Sequence, residues 1–181
     1  MLQTLITSKT RIRLLLKFFL NSRTSGYLRS LAAEFGESTN SIRQELNRFE
    51  KAGLLEACSE GNKKIFKANT KHPMFSDMQR LIHKFVGIDQ ILEKIVMRLG
   101  DIKKVYVTGD FARGKDGKTI DLLIIAEKID QKYLAELTRK TESLIKRKIA
   151  STILSEKELD EYKKIHKREN RLIVFGGETP S

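Results

Sequence analysis

The sequence has few residues of the types that build cross-links and metal sites. Its 181 residues include one cysteine, Cys58, and three scattered histidines. A single cysteine cannot form an internal disulfide, which is consistent with a reducing cytoplasm. Its place in the apolar run Leu54–Cys58 predicts a buried thiol. Three isolated histidines have no spacing typical of a zinc site. We therefore expect no bound metal and no cofactor.

Long apolar runs are also absent from the sequence. One of the longest, Leu14–Leu20, is interrupted by Lys17 and is far too short to span a bilayer. The N-terminus has no long apolar segment followed by a small-residue cleavage site, so we expect no signal peptide. With 40% apolar and 32% charged residues, the composition predicts a globular cytoplasmic protein with no membrane partner.

Positive charge is concentrated in the first part of the chain. The formal net charge is +12, and residues 1–72 supply +7 of it through 13 Lys or Arg against 6 Asp or Glu. A surface that binds a polyanion requires such a local excess of positive charge.

The stretch Leu31–Leu55 predicts two helices that meet across a tight turn. Gly36 stands where a left-handed residue ends the first helix. Ser38 or Thr39 can cap the second helix, which extends to about Ala52. Apolar residues of the second helix recur at helical spacing and form one buried stripe, Ile42, Leu46 and Phe49.

Polar residues cover the opposite face of this second helix. None of them is acidic, and most can bond to phosphate oxygens or base edges, as a recognition helix in the major groove does. A solvated helix face without a partner is the alternative. The polar positions are Thr39, Asn40, Ser41, Arg43, Gln44, Asn47 and Arg48.

A short hairpin is predicted directly after this helix. The helix ends at Ala52-Gly53, and an apolar run begins at Leu54. The residues Glu60–Asn62 predict a turn, and Lys63–Lys67 predicts a second strand. The order of helix, turn, helix and basic-tipped hairpin resembles the winged helix-turn-helix family, especially its ArsR-like bacterial repressors.

This resemblance covers roughly the first 70 residues and implies a protein that binds double-stranded DNA. The residues that carry it are Leu31-Ala32, Phe35-Gly36, Ser38, Ile42, Leu46 and Ala52-Gly53-Leu54-Leu55. The expected DNA-binding residues are Thr39, Asn40, Ser41, Arg43, Gln44, Asn47, Lys63 and Lys64.

The first domain is predicted to end at residue 72, because Pro73 disfavours helix at the residue before it. A helical pattern then continues to Leu99 with a break at Gly87. We expect residues 73–87 to form a linker helix. Its part Met74–Phe85 is expected to hold a homodimer together in part, since a two-fold dimer is the usual way to cover two half-sites. A bent core helix without a partner is the alternative.

Strands and helices alternate in residues 88–181, which predicts a second domain of the α/β or α+β class. One predicted helix begins with a capping box, Ser155 and Glu158. The predicted strands are Val105–Val107, Ile120–Ala126, Ile149–Leu154 and Arg171–Phe175, and the predicted helices of the whole chain begin near Lys9, Tyr27, Thr39, Met74, Asp130 and Ser155.

The segment Val107–Ile125 resembles the nucleotidyltransferase superfamily in its minimal bacterial and archaeal form. That family carries Gly-Ser, then Arg-Gly, then Asp-x-Asp on the next strand and a third carboxylate on a later strand. Gly109, Ala112-Arg113-Gly114 and Ile120-Asp121-Leu122-Leu123 match this pattern. The resemblance covers roughly residues 88–176 and implies nucleotidyl transfer with two Mg²⁺ ions.

Three positions depart from that pattern and argue against the activity. Thr119 stands at the first Asp, and Asp110 stands at the Ser that faces phosphate, where a carboxylate repels a triphosphate. The third strand, Ile149–Leu154, offers no acid. Asp121 therefore remains alone of three metal carboxylates, and we expect no catalytic residue and no metal ligand.

The loop before Asp121 is nevertheless cationic, and its glycines let the backbone approach a ligand. A nucleotide or another anionic effector can bind such a loop without turnover, and a solvated loop is the alternative. The candidate residues are Gly109, Asp110, Arg113, Lys118 and Asp121.

These patterns predict the α+β class, with a winged helix-turn-helix domain followed by a small α/β nucleotidyltransferase-like domain. The function they favour is a DNA-binding transcriptional regulator whose C-terminal domain is an inactive sensor or dimerisation module. A second interpretation is an active nucleotidyltransferase that modifies a protein or a small molecule, with the winged helix as a targeting module. A third is a protein-interaction scaffold that does not touch DNA.

Overall fold

The structure, a computed structural model, describes Ile6 and residues 8–176. The chain divides into two compact units, Met1–Phe85 and Val86–Ser181. It mixes helices with a three-stranded and a four-stranded sheet, so the predicted α+β class is confirmed. The expected absence of a signal peptide concerns N-terminal residues that lie mostly outside the described part, as do the start of the predicted first domain and the end of the predicted second domain. No helix of the described chain is long and apolar enough to cross a membrane.

The first helix of the described chain starts at Lys9, as predicted. The Ser8 hydroxyl accepts a hydrogen bond from the Arg11 backbone N–H and starts α1, Lys9–Leu15. The helix continues as a π-helical turn, Leu16–Leu20. Every side chain from Leu14 to Leu20 is buried, because this run forms the centre of the unit.

Two further helices follow a short strand that the sequence analysis missed. Strand β1, Ser25–Tyr27, includes the residue at which a helix was predicted to begin, and α2, Leu28–Phe35, starts directly after it. Gly36 ends α2 in the left-handed conformation (φ 63°), as predicted. The Ser38 hydroxyl caps α3, Thr39–Lys51, by accepting a hydrogen bond from the Ser41 N–H.

The hairpin of strands β2, Leu55–Glu60, and β3, Lys63–Ala68, completes the first sheet in the order β1-β3-β2. All pairs are antiparallel, and Gly26 of β1 lies opposite Phe66 of β3. The prediction of a buried Cys58 was wrong, because the hairpin extends beyond the core and its thiol is exposed.

The predicted break at Gly87 is confirmed. Helix α4, Phe75–Val86, ends there, and Gly87 adopts a positive φ of 100°. A Cβ at this position would lie 2.7 Å from Ile145 Cγ2, so a side chain is excluded both by conformation and by space. The chain continues as α5, Ile88–Ile91, a π-helical turn, Leu92–Val96, and α6, Met97–Leu99.

The second unit is built on a four-stranded sheet in the order β6-β5-β4-β7. Strand β5 is parallel to β6 and antiparallel to β4, and β4 is antiparallel to β7. The strands are β4, Ile102–Thr108, β5, Thr119–Ala126, β6, Lys148–Leu154, and β7, Leu172–Phe175, and the helices between them are α7, Gly109–Ala112, α8, Gln131–Ile145, and α9, Glu156–Ile165.

Helix ends in this unit follow the predicted caps. The Asp130 carboxylate accepts hydrogen bonds from two backbone N–H groups in the first turn of α8. Ser155 and Glu158 form the expected capping box at the start of α9. On one face of the sheet, Leu123 and Ile125 of β5 pack with Leu159 of α9, which fixes this helix against the central strands.

Candidate functional site

The exposed face of α3 presents most of the predicted DNA-binding residues. Thr39, Asn40, Arg43, Gln44 and Asn47 are exposed, and Ser41 is half-buried. The apolar stripe on the other side is buried, since Ile42, Leu46 and Phe49 are each at most 6% exposed. The stripe fixes the rotation of α3 in its unit, so the polar residues face solvent.

A buried carboxylate that the sequence analysis did not single out connects α3 to α1. Glu45 is 6% exposed. Arg11 approaches it with both Nε (3.0 Å to Oε2) and Nη2 (3.1 Å to Oε1), and this contact raises the pKa of Arg11. Arg48 Nη1 lies 3.0 Å from Glu45 Oε1. A carboxylate with two guanidinium partners is well compensated for its burial.

Two more carboxylates near the turn between α2 and α3 are paired with cations of α1 and of the π-helical turn that continues it. Arg13 Nη1 lies 2.8 Å from Glu37 Oε1, and Lys17 Nζ lies 3.0 Å from Glu34 Oε2. Helix α1 and its π-helical continuation therefore neutralise the acids of this region. None of the ion pairs that the described residues of this unit make involves Arg43.

The two hairpin lysines have different surroundings. Lys63 Nζ lies 4.8 Å from the centre of the Tyr27 ring and keeps its charge exposed. Lys64 Nζ lies 2.7 Å from Glu50 Oε2, so a carboxylate of α3 compensates its charge. The structure thus separates two residues that the sequence analysis treated as equivalent.

In the second unit, Gly109 and Asp121 come together where β4 ends. Thr108 lies opposite Asp121 in the antiparallel pair β4–β5. Gly109 has a φ of 63°, and a Cβ there would lie 2.2 Å from Asp121 Oδ2. Glycine is required at this position because a side chain would collide with the carboxylate.

Other acids surround Asp121. Burial raises the pKa of Asp121 above its ordinary value, and the negative charges of Asp110 and then Glu169 raise it further. Glu169 Oε2 accepts a hydrogen bond from the Tyr162 hydroxyl (2.8 Å) and lies 3.7 Å from Arg171 Nη1. The sequence analysis missed Glu169, because this residue follows α9 and reaches the site only through the fold.

Two ion pairs hold the cationic loop before Asp121 in place. Arg113 Nη2 lies 2.7 Å from Asp110 Oδ1, so these two candidate anion-binding residues compensate each other. Arg147 Nη1 lies 2.8 Å from Asp116 Oδ1, and its guanidinium lies over the Phe111 ring. Lys118 is exposed directly before β5.

The carboxylates around Asp121 do not fit a magnesium centre. Mg²⁺ needs oxygen ligands in near-octahedral geometry, and carboxylates supply the charge that holds it. Asp110 is paired with Arg113, and Glu169 is bonded to Tyr162. Thr119 offers only a neutral hydroxyl. In the described chain, no group of three or more His, Cys, Asp or Glu side chains is arranged to hold a metal ion.

The chain was also compared with family models, with curated proteins and with solved structures. No family model, curated protein or solved structure matches it. The residues of the chain itself therefore carry the functional conclusion.

Proposed function

We propose that the protein is a DNA-binding transcriptional regulator whose first unit is a winged helix-turn-helix. In this proposal α3 is the recognition helix and the β2–β3 hairpin is the wing. The observation that carries the proposal is the exposed polar face of α3, where Arg43, Gln44 and Asn47 lie on the side opposite the buried stripe. Arginine reads guanine, and amide side chains read adenine, in the major groove.

The pairing of charges within the unit supports this assignment. The acids nearest the start of α3 are paired with Arg11 and Arg13 of α1 and with Lys17 of the π-helical turn that follows it. Their negative charge is therefore compensated and does not repel a phosphate backbone near the recognition face. The remaining positive charge lies on residues such as Arg43 and Lys63, which a polyanion can reach.

We further propose that the second unit resembles a nucleotidyltransferase in fold but does not transfer nucleotides. Asp121 is left without the partner carboxylate that Thr119 replaces, and Asp110 is committed to Arg113. The unit serves as a sensor of an anionic effector or as a dimerisation module. An active nucleotidyltransferase remains the competing function, and a labelling assay separates the two.

The proposed regulator acts on double-stranded DNA as a homodimer. One recognition helix reads a single half-site, and a two-fold dimer reads a palindrome with half-sites about one helical turn apart. The dimer thus supplies both the affinity and the length of site that one unit lacks.

Binding to fluorescent duplex DNA of random sequence, followed by anisotropy, tests the proposal. We expect the logarithm of the binding constant to fall linearly with the logarithm of the salt concentration, because phosphate contacts release counterions. With only six phosphate contacts, affinity would fall roughly a thousandfold between about 50 and 200 mM salt. Binding that is absent or insensitive to salt would favour the protein-interaction scaffold.

Selection of bound fragments from a random library tests the sequence specificity. We expect the recovered fragments to share a palindromic site. Fragments without a common sequence would limit the protein to non-specific DNA binding and contradict its role as a sequence-specific regulator.

A further inference from the structure

Strand β6 lies at an edge of the four-stranded sheet, and this edge is long and regular. Its seven residues pair with β5 without a shift in register, from Lys148 opposite Thr119 to Leu154 opposite Ile125. The strand contains no proline, and its one charged residue is Lys148 at the start. The other edge strand, β7, has four residues and a register shift against β4. Proteins usually blunt or cover a regular edge, because it is a template for another strand.

The backbone groups on the outer side of β6 can be assigned from the hydrogen bonds of its first residues. The Lys148 N–H donates to the Lys118 carbonyl on the β5 side (2.9 Å), whereas the Ile149 N–H donates to Glu142 Oε1 (2.8 Å). Backbone groups alternate along a strand. The N–H and C=O groups of Ser151 and Ile153 therefore point to the outer edge, where no described strand lies.

A groove lies along this edge, between β6 and α8. It has a volume of about 710 Å³. Its helix side mixes small or apolar residues with polar ones, and a cation and an anion lie about one turn apart. The residues that matter here are Ala135, Thr138, Arg139, Glu142, Ser151 and Ile153.

We propose that a second copy of the chain occupies this groove through antiparallel pairing of β6 with its two-fold equivalent. If the two-fold axis passes beside Ser151, then Ile149 of one copy lies opposite Ile153 of the partner subunit, and residues 150–152 at the centre are small. The two α8 helices then run antiparallel. The pairing displaces Glu142 from its contacts within the single chain, the Ile149 N–H (2.8 Å from Oε1) and Lys148 Nζ (3.3 Å from Oε2), and Arg139 of the partner subunit takes their place. Each copy thus supplies both members of the charge pair.

This inference rests on the homodimer in the proposed function and deepens it. It is an alternative to the sequence-based prediction that the Met74–Phe85 helix partly holds the dimer together. The pairing would join the two four-stranded sheets into one continuous sheet, with main-chain hydrogen bonds at its centre.

Sedimentation equilibrium of the full chain, without DNA, tests the proposal with two matched variants. Ser151→Lys places two like charges beside the two-fold axis, and we expect the dimer dissociation constant to rise at least about tenfold. Thr152→Lys adds the same charge to the opposite face of β6, and we expect the dimer to persist. Circular dichroism checks that both variants keep the wild-type helix and strand content.

Cross-linking tests the register in a Cys58→Ser background, which removes the exposed native thiol. Under mild oxidation Ser151→Cys should give a covalent dimer, because hydrogen-bonded antiparallel residues have Cα atoms about 5.5 Å apart, within disulfide range. Thr152→Cys should not give a covalent dimer, because the two copies of residue 152 lie diagonally across the strand pair and not opposite each other.

Three results would overturn the assignment. The first is a wild-type chain that is a monomer at micromolar concentration. The second is a dimer that Ser151→Lys leaves unchanged. The third is a dimer that Leu81→Lys on α4 dissociates while Ser151→Lys does not. Leu81 is chosen because it is an exposed apolar residue of the helix first predicted to form the dimer. Because these measurements contain no DNA, a failure of DNA binding would leave their outcome unchanged.

Discussion

At the scale of single residues, Asp121 is an acid that the folded chain disfavours in its ionised form. Burial, with the charges of Asp110 and Glu169, raises its pKa above the ordinary value. A carboxyl group whose pKa is higher in the folded than in the unfolded state reduces stability when it is ionised. This loss is absent below the ordinary carboxyl pKa, grows as pH rises through the raised pKa, and is complete above it.

Replacement of Asp121 by asparagine removes the ionisable group and nearly keeps the size. We expect Asp121→Asn to raise the free energy of unfolding at neutral pH. We expect little effect near pH 3, where the side chain at position 121 is neutral in the wild type as well as in the variant. Urea unfolding at the two pH values measures the difference. Asp101→Asn, at an exposed position, is the control. An equal change at both pH values would mean that ionisation is not the cause.

Arg43 is the residue on which sequence-specific binding should depend most. If its guanidinium reads a guanine, Arg43→Ala should weaken binding to the selected site by about 1–3 kcal/mol and relax the preference at that base pair. Competition between the selected site and single-base variants measures both effects. Lys157→Ala removes one exposed charge from α9 of the other unit and should leave the preference intact. Unchanged specificity in Arg43→Ala would show that α3 does not read bases.

At the scale of elements, the ion pair between Lys64 and Glu50 joins the hairpin to α3. The lysine is 51% exposed and the carboxylate 35%, so water screens the pair and its contribution to stability is small. Its effect on binding is larger, since a phosphate must compete with Glu50 for this lysine. Lys63 is exposed, and among the described residues no carboxylate is paired with it.

This difference predicts opposite effects of two substitutions on non-specific DNA binding. Lys63→Ala should weaken binding to all sequences alike and reduce the salt slope by about 1. Glu50→Gln frees Lys64 and should strengthen binding and steepen the slope. Both are measured by anisotropy on random duplexes over a range of salt. Weaker binding in Glu50→Gln would mean that the ion pair orients the hairpin rather than occupying its lysine.

Elements with local signals were predicted well, and those that depend on distant contacts were not. Ser8, Ser38, Asp130 and the capping box at Ser155 each mark a helix start within a few residues of sequence, and the structure confirms them. Strand β1 was missed, because three residues around Gly26 become a strand only by pairing with β3, some 40 residues later.

The candidate sites divide in the same way. The polar face of α3 follows from helical periodicity, so its exposure could be predicted. The pairing of Glu45 with Arg11 joins two helices, and the approach of Glu169 to Asp121 joins the end of α9 to β5. Neither contact has a sequence spacing that would reveal it. The exposure of Cys58 also depends on how far the hairpin extends beyond the core.

At the scale of the whole molecule, the two units should differ in chemistry, with DNA binding in the first and no nucleotidyl transfer in the second. Transfer develops negative charge on the phosphates, which metal ions normally neutralise. Asp121 and Thr119 provide one carboxylate where two are needed, and Asp110 adds negative charge near the phosphate position. We therefore expect no incorporation of labelled nucleoside triphosphates into a cell extract with Mg²⁺ or Mn²⁺.

Two variants make this prediction sharper. Asp110→Ser with Thr119→Asp restores the nucleotidyltransferase pattern, and metal-dependent nucleotide binding in that double variant would show that these two positions silence the site. Label transfer by the wild-type chain that disappears in Asp121→Ala would contradict the prediction and establish the enzyme.

The order of strands in the second sheet also has a consequence for biosynthesis. Strand β4 is a central strand, but one of its two neighbours, β7, begins 64 residues after β4 ends. While the ribosome adds those residues, β4 can pair with β5 on one side only, and its other edge is open to neighbouring chains. A chain that stops before Leu172 keeps that edge permanently, so β7 protects the protein from aggregation only after residues 172–175 have been added.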